Sequence, residues 1–238
     1  MSDLEYKRLL VKLSGEALMG EQDFGIDPKT IEWQAGELKG LHDAGVEIGV
    51  VVGGGNIFRG AGLAQAGVDR VTGDHMGMLA TVINALALRD GLRKQGLKSV
   101  VMSGLAMPQV CETYTQRHAR ERIGNGEIVI FAAGTGNPYF TTDTGASLRA
   151  IEIQADLLIK ATNVDGIYDA DPRGNPDAKK YDTLSYDQAI DQRLAVMDIT
   201  AMVLCMENDL DLAVCNINQP DALLALARGE RLGTLVTR

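Results

Sequence analysis

Residues 51–62 read VVGGGNIFRGAG, two valines running into three consecutive glycines and then an asparagine and an arginine. Glycine loses more conformational freedom on folding than any other residue, so three in a row after an apolar run imply a backbone that must approach something closely. The preceding stretch, VEIGVVV at 46–52, is apolar nearly throughout rather than alternating. That pattern predicts a strand covered on both faces, as in a mainly parallel sheet.

The same signal recurs at KRLLVKL (7–13), KSVVMS (98–103), EIVIFAA (127–133), DLLIKA (156–161) and LDLAVCNI (210–217). Helical stretches lie between these strands. In 76–95 the residues Met78, Leu79, Val82, Ile83 and Leu86 share one apolar face, and Arg89, Asp90, Arg93 and Lys94 close the C-terminal end. A second helix is expected over 220–228, with Asn218 as its cap, Pro220 and Asp221 in its first turn and Gly229 as its stop. Strands alternating with helices indicate an α/β fold with helices on both faces of the sheet. The segment 169–185 holds two of the six prolines and reads as a long surface excursion, so residues 1–238 are expected to form a single domain.

Composition narrows the function classes. The chain has 238 residues, 45% hydrophobic and 23% charged, which suffices for a sizeable core. A formal net charge of -9 disfavours nucleic acid and membrane surfaces as partners, because both require a basic face. Cys111, Cys205 and Cys215 are odd in number, without metal-like spacing, and are expected to be buried free thiols in a reducing cytoplasm. No export signal or membrane-spanning run is evident.

Glycine-bearing loops follow four of the predicted strands: Lys12-Leu13-Ser14-Gly15-Glu16, Gly53-Gly54-Gly55-Asn56, Gly134-Thr135-Gly136-Asn137-Pro138 and Thr162-Asn163-Val164-Asp165-Gly166. Ligands of open α/β sheets bind outside the carboxyl ends of the strands, and such loops present backbone N–H groups to anions. A phosphate ester is the ligand class this favours. No Gly-Lys dipeptide occurs, so the P-loop is absent, and G-x-G-x-x-G does not follow the first strand. Charge must come from elsewhere, with Lys12, Arg59 and Lys160 as the candidate cations. Asp74 precedes a helix and reads equally as an N-cap or as an acceptor for ribose hydroxyls. Asp143 also sits at a helix start, where capping is the simpler role. His75 and His118 have no patterned nucleophile near them and read as structural.

Five segments, KLSGEAL (12–18), GGGNIFRG (53–60), GDHMGMLAT (73–81), GTGNPYFTTDT (134–144) and KATNVDGIYDADP (160–172), together resemble the bacterial uridylate kinases of the amino acid kinase family. KLSG and the triple glycine are shared with carbamate, acetylglutamate and aspartate kinases, whereas GDHMG with GTGNPYFTTD is much more specific to the uridylate branch. The resemblance implies a three-layer αβα sandwich and transfer of the γ-phosphoryl of ATP to UMP. It places Lys12, Leu13, Ser14 and Gly15 on the ATP side, with Thr162, Asn163, Tyr168 and Asp171 at the adenosine end. Gly55 and Arg59 would meet phosphates where the two nucleotides join. Gly54 would contact the UMP phosphate and Asp74 the ribose. Thr135, Gly136, Asn137, Pro138, Tyr139, Phe140, Thr141 and Thr142 would line the UMP pocket. Lys12 and Arg59 would act on the transferred group, with Asp143 and Asp198 organising the catalytic lysine or cations. Gly20, Glu21, Gln22, Asp23, Phe24 and Gly25 match a segment linked to GTP activation. UTP inhibition, a homohexamer and Mg²⁺ carried by ATP are further implications of the resemblance.

The chemistry agrees with the residues. A phosphate monoester loses its second proton near pH 6, so the acceptor is already anionic and needs no general base. The protein must instead offset repulsion between two phosphate groups and hold them in line. A nucleotide-binding protein without turnover on the same scaffold is the alternative.

Overall fold

The computed structural model describes residues 4–58, 67–172, 174–175 and 177–238. Its strands are β1 (Arg8–Leu13), β2 (Glu47–Val52), β3 (Ser99–Ser103), β4 (Glu112–Thr113), β5 (Ile128–Ala132), β6 (Leu157–Thr162), β7 (Ile167–Tyr168), β8 (Lys180–Tyr181), β9 (Thr183–Ser185), β10 (Asp211–Asn216) and β11 (Thr234–Thr237). Between them run helices α1 (Pro28–Asp43), α2 (Arg70–Lys94), α3 (Gln116–Gly124), α4 (Thr142–Ile153), α5 (Tyr186–Asp191), α6 (Ile199–Glu207) and α7 (Ala222–Ala227), and a 3₁₀ turn at Gly15–Leu18. Nine strands form one continuous sheet in the order β4-β3-β5-β2-β1-β6-β10-β11-β9. Every pairing in it is parallel except β10 with β11.

Alternation along each strand sorts the side chains onto two faces. Leu9, Val11 and Leu13 join Val50, Val52, Ile159 and Ala161 in a core beneath α1, α2 and α7. Leu10, Val51, Leu158 and Phe131 join a second core beneath α3, α4, α5 and α6. The result is the expected αβα sandwich, with β1 at its centre. Cys111, Cys205 and Cys215 are buried free thiols, as composition suggested.

Several local expectations need correction. α2 begins at Arg70 because Asp69 accepts the Thr72 N–H at 3.0 Å, so Asp74 lies inside the helix and does not cap it. The face proposed for that helix is split: Met78 and Val82 are buried, but Leu79 and Ile83 are 49% and 47% exposed. The packed stripe instead continues through Thr81, Ala85 and Leu88. α7 is preceded by Asp221 in left-handed backbone with no side-chain cap, while the Asn218 amide donates to Asn163 Oδ1 at 3.3 Å. Segment 169–185 is not all excursion, since β9 pairs with β11 and extends the sheet. Two- and three-residue strands are too short to carry a periodic signal.

Gly49 of β2 is where the second core has least room. A Cβ there would lie 2.9 Å from both Ile153 Cδ1 and Phe131 Cε2, closer than packed carbon atoms approach. Gly49→Ala should therefore destabilise the fold by about 1–3 kcal/mol, read as a lower urea midpoint with an unchanged slope.

Candidate active site

Strand alternation sets the centre of the site. Lys12 shares the Leu10 face of β1, and Lys160, its register partner on β6, shares the Leu158 face. Both ammonium groups therefore point under the first turn of α4. Thr141 caps that helix by accepting the Asp143 and Thr144 N–H groups, which frees the Asp143 side chain from the capping role expected of it. Its carboxylate instead lies 2.9 Å from Lys12 Nζ and 2.9 Å from Lys160 Nζ. Burial alone would raise the Asp143 pKa, but the two ammonium groups outweigh it and hold the carboxyl below its usual range. Lys160 moves down, chiefly through burial and against the pull of Asp143. Two cations share this one anion, and Asp198 is a second carboxylate acting on Lys160 from farther off.

The glycine loops meet beside this cluster. Gly53 N–H donates to Leu13 O at 2.9 Å, and a Cβ on Gly53 would stand 2.9 Å from Gly15 N. A Cβ on Gly15 would stand 2.6 Å from Gly55 N. The loops after β1 and β2 thus touch backbone to backbone, which only glycine permits here. Gly54 is pressed against α2, where a Cβ would meet Gly77 O at 2.9 Å. Ser14 accepts the Ala17 N–H at 3.2 Å and caps the 3₁₀ turn. Leu13 is fully buried, so only its backbone faces the loops.

A cavity of about 260 Å³ opens between these loops, α2 and the segment after β5. Gly54, Gly55, Asp74, Thr135, Asn137, Phe140, Thr141 and Thr142 all line it. Gly136, Pro138 and Tyr139 do not. Gly136, at φ +80°, packs so tightly on Gly104 that a Cβ would lie 2.7 Å from the Gly104 carbonyl oxygen. Tyr139 is 66% exposed, and its N–H donates to Asp74 Oδ2 at 2.7 Å. Arg70 Nε also donates to Asp74, at 2.8 Å. Asp198 caps α6 and accepts hydroxyl hydrogen bonds from Thr141 and from Thr144, the latter at 3.0 Å, so it ties the starts of α4 and α6 together.

Thr162, Asn163, Tyr168 and Asp171 lie at or after the end of β6, on the other side of β1 from β2. Thr162 ends β6, where its carbonyl accepts the Ile217 N–H at 2.9 Å. Asn163 follows it, Tyr168 donates to Asp165 Oδ1 at 2.8 Å, and the Asp171 carbonyl accepts from Gly174 and Asn175. Segment 20–25 runs between the 3₁₀ turn and α1, with Gly20 and Gly25 at positive φ. Arg59 lies outside the described residues. Sequence reasoning missed Thr81 and Asn84, two polar residues on an apolar helix. Thr81 Oγ1 accepts the N–H of Ala133 at 2.8 Å, holding the start of the 134–137 turn.

Among the described residues no group of three His, Cys, Asp or Glu stands where a metal could be held, and no helix is long and apolar enough to cross a membrane. The donor set fits a cation carried by nucleotide phosphates: Asp198 receives only neutral donors, whereas Asp143 is already paired with two lysines. Backbone loops, two lysines and a flanking cavity gather at the carboxyl ends of β1, β2 and β5, features that suit phosphate esters.

Residues 7–216 match the model of the amino acid kinase family. A uridylate kinase of Xanthomonas oryzae pv. oryzae is 58% identical over 236 residues, 99% of this chain and 98% of the relative. One from Pseudomonas aeruginosa is 55% identical over 231 residues, 97% and 94% of the two chains. The crystal structure of UMP kinase from Bacillus anthracis has a TM-score of 0.95 at 38% identity, covering 98% of this chain and 96% of that one. The chain belongs to the amino acid kinase family. Within it, the chain falls among the uridylate kinases, and it is an enzyme of phosphoryl transfer.

Asp143→Asn would leave two ammonium groups facing one another, and should cost about 3 kcal/mol at pH 7, because one partner of a buried ion pair is lost. The parent carboxyl is held low, so its contribution is complete above the unfolded carboxyl pKa of about 3.9. It disappears as pH falls through the lower folded value. Urea unfolding of parent and variant should therefore differ fully at pH 5–7 and converge below about pH 4.

Proposed function

We propose that this enzyme transfers the γ-phosphoryl group of ATP to UMP, reversibly, giving UDP and ADP in the supply of pyrimidine nucleotides. The observation that carries this is the strand order β5-β2-β1-β6-β10. It puts the cavity with Asp74 and the 134–142 segment on one side of Lys12, and Thr162, Asn163 and the 165–171 excursion on the other. An acceptor in the cavity and a donor on the β6 side would meet over Lys12, the geometry that direct transfer requires.

In this mechanism the UMP phosphate attacks as an anion, and the protein supplies position and charge. Gly54 and Gly55 bring backbone toward the phosphates. Lys12 bridges the group in flight, and Asp143 keeps Lys12 and Lys160 close without mutual repulsion. Arg59 adds charge where the nucleotides join. Asp74 accepts from the ribose hydroxyls, for which its carboxylate has acceptor capacity beyond the Tyr139 and Arg70 bonds. Thr135, Asn137 and Phe140 line the base end, with Gly136, Pro138 and Tyr139 shaping the turn that presents them. On the donor side, Leu13, Ser14 and Gly15 offer backbone to ATP, and Thr162, Asn163, Tyr168 and Asp171 hold its adenosine. Mg²⁺ arriving with ATP would neutralise charge on its phosphates, and Asp198, which receives only neutral donors, would be the carboxylate to hold it through water.

GTP activation through Gly20–Gly25 and inhibition by UTP belong to the same proposal. So does a homohexamer, which the exposed Met76, Leu79 and Ile83 on α2 support by offering an apolar surface. The continuous sheet supports a single domain, and the buried free thiols support a cytoplasmic setting.

Offered UMP, CMP, carbamate and acetylglutamate separately with MgATP, the enzyme should make UDP from UMP and leave the last two untouched. Turnover of another acceptor with none of UMP would contradict the proposal. Lys12→Ala should lower kcat by about a hundredfold or more. Repeating the assay with GTP and with UTP tests the effector roles, and sedimentation tests the assembly.

A further inference from the structure

Two buried amides join three loops of the site. Asn84, in the middle of α2, is 0% exposed, and Asn56, directly after the triple glycine, is 1% exposed. Their side chains pair reciprocally: Asn84 Nδ2 donates to Asn56 Oδ1 at 2.6 Å, and Asn56 Nδ2 donates to Asn84 Oδ1 at 3.0 Å. The second N–H of Asn84 goes to Gly53 O at 2.6 Å, and that of Asn56 to Gly25 O at 2.9 Å. All four amide hydrogens are therefore used, which removes the penalty of burying them. The backbone adds a further link, since Gly25 N–H donates to Asn56 O at 3.0 Å. Gly15 leans on the same pair, because a Cβ there would stand 2.7 Å from Asn56 Oδ1.

We propose that Asn84 and Asn56 are positioning residues for phosphoryl transfer, a buried amide clamp that sets the direction of the Gly53–Gly54 peptide and locks it to Gly15 and to Gly25. The physical reason is the trans peptide. C=O and the following N–H point in opposite directions across it, so fixing Gly53 O against Asn84 fixes where the Gly54 N–H points. A loop of three glycines has little rotational restraint of its own. The clamp supplies the restraint, and its Asn84 half lies 31 residues from Gly53 along the chain, outside any loop motif. The same clamp makes segment 20–25 a mechanical neighbour of the phosphate loop, since both strands of that contact run through Asn56.

This rests on the enzyme being a kinase whose acceptor phosphate sits at Gly54. The test compares kcat and KM for parent, Asn84→Ala, Asn56→Ala and the double variant. Each is confirmed folded by circular dichroism and assayed well below its own Tm, on whichever acceptor of the panel the parent uses. A wrong acceptor and an idle clamp then give different results. Each single change should lower kcat by about a hundredfold, the scale of a small misplacement of reacting groups, with KM for the acceptor nearly unchanged. The double variant should lose no more than either single one, because the two amides act as a unit. Variants that lose Tm but keep kcat within about twofold, or losses that multiply in the double variant, would overturn the proposal. Asn56→Ser, a smaller polar change, carries the same expectation. Failure of it and of Asn84→Ala to fold would contradict a role in positioning.

Discussion

One carboxylate between two lysines is the constraint on which the site depends. Lys12 and Lys160 are register partners on adjacent central strands, and without Asp143 their ammonium groups would repel in a largely buried setting. With it both ammonium groups are held together at the carboxyl ends of the strands, where phosphate charge has to be met. The position of α4 follows from the same cluster, since its first turn carries the carboxylate. Asp198 then anchors that turn to α6 through Thr141 and Thr144. Helix packing and site chemistry are thus one arrangement.

Around this cluster the chain does without a P-loop lysine. Backbone contact of Gly15 with Gly53 and Gly55 does part of the work, and it is possible because neither Gly15 nor Gly53 carries a Cβ. Gly53, which sequence reasoning leaves unexplained beyond the turn, has a role here: it lets the loops after β1 and β2 touch. Gly54 has a different reason, the press of α2. Gly53 and Gly54 therefore answer two different neighbours, and the buried amides of Asn56 and Asn84 fix the loop that results.

The six principal strands were legible because each is a continuous apolar run, and their glycine-bearing ends marked the ligand side. Lys160 was legible for the same reason, standing at the end of such a run. Less legible were features decided by contacts between distant segments. Asp143 looks like a cap in sequence, because nothing local reveals that Thr141 takes that role or that two lysines lie beneath it. Asp74 looks like a cap because the true one, Asp69, precedes a turn with little apolar signal. Leu79 and Ile83 look like core because periodicity reports an apolar face without saying what covers it. Asn84 carried no signal beyond being polar on an apolar helix, and β9 and β11 were too short or too far apart to announce their pairing.

The central claim is that donor and acceptor phosphates meet directly over Lys12, with no phosphorylated enzyme between them. Transfer from ATP bearing an isotopically chiral γ-phosphoryl group to UMP tests this most directly. A single in-line displacement inverts the configuration at phosphorus, and inversion is the predicted result. Retention would require two displacements and would contradict the account.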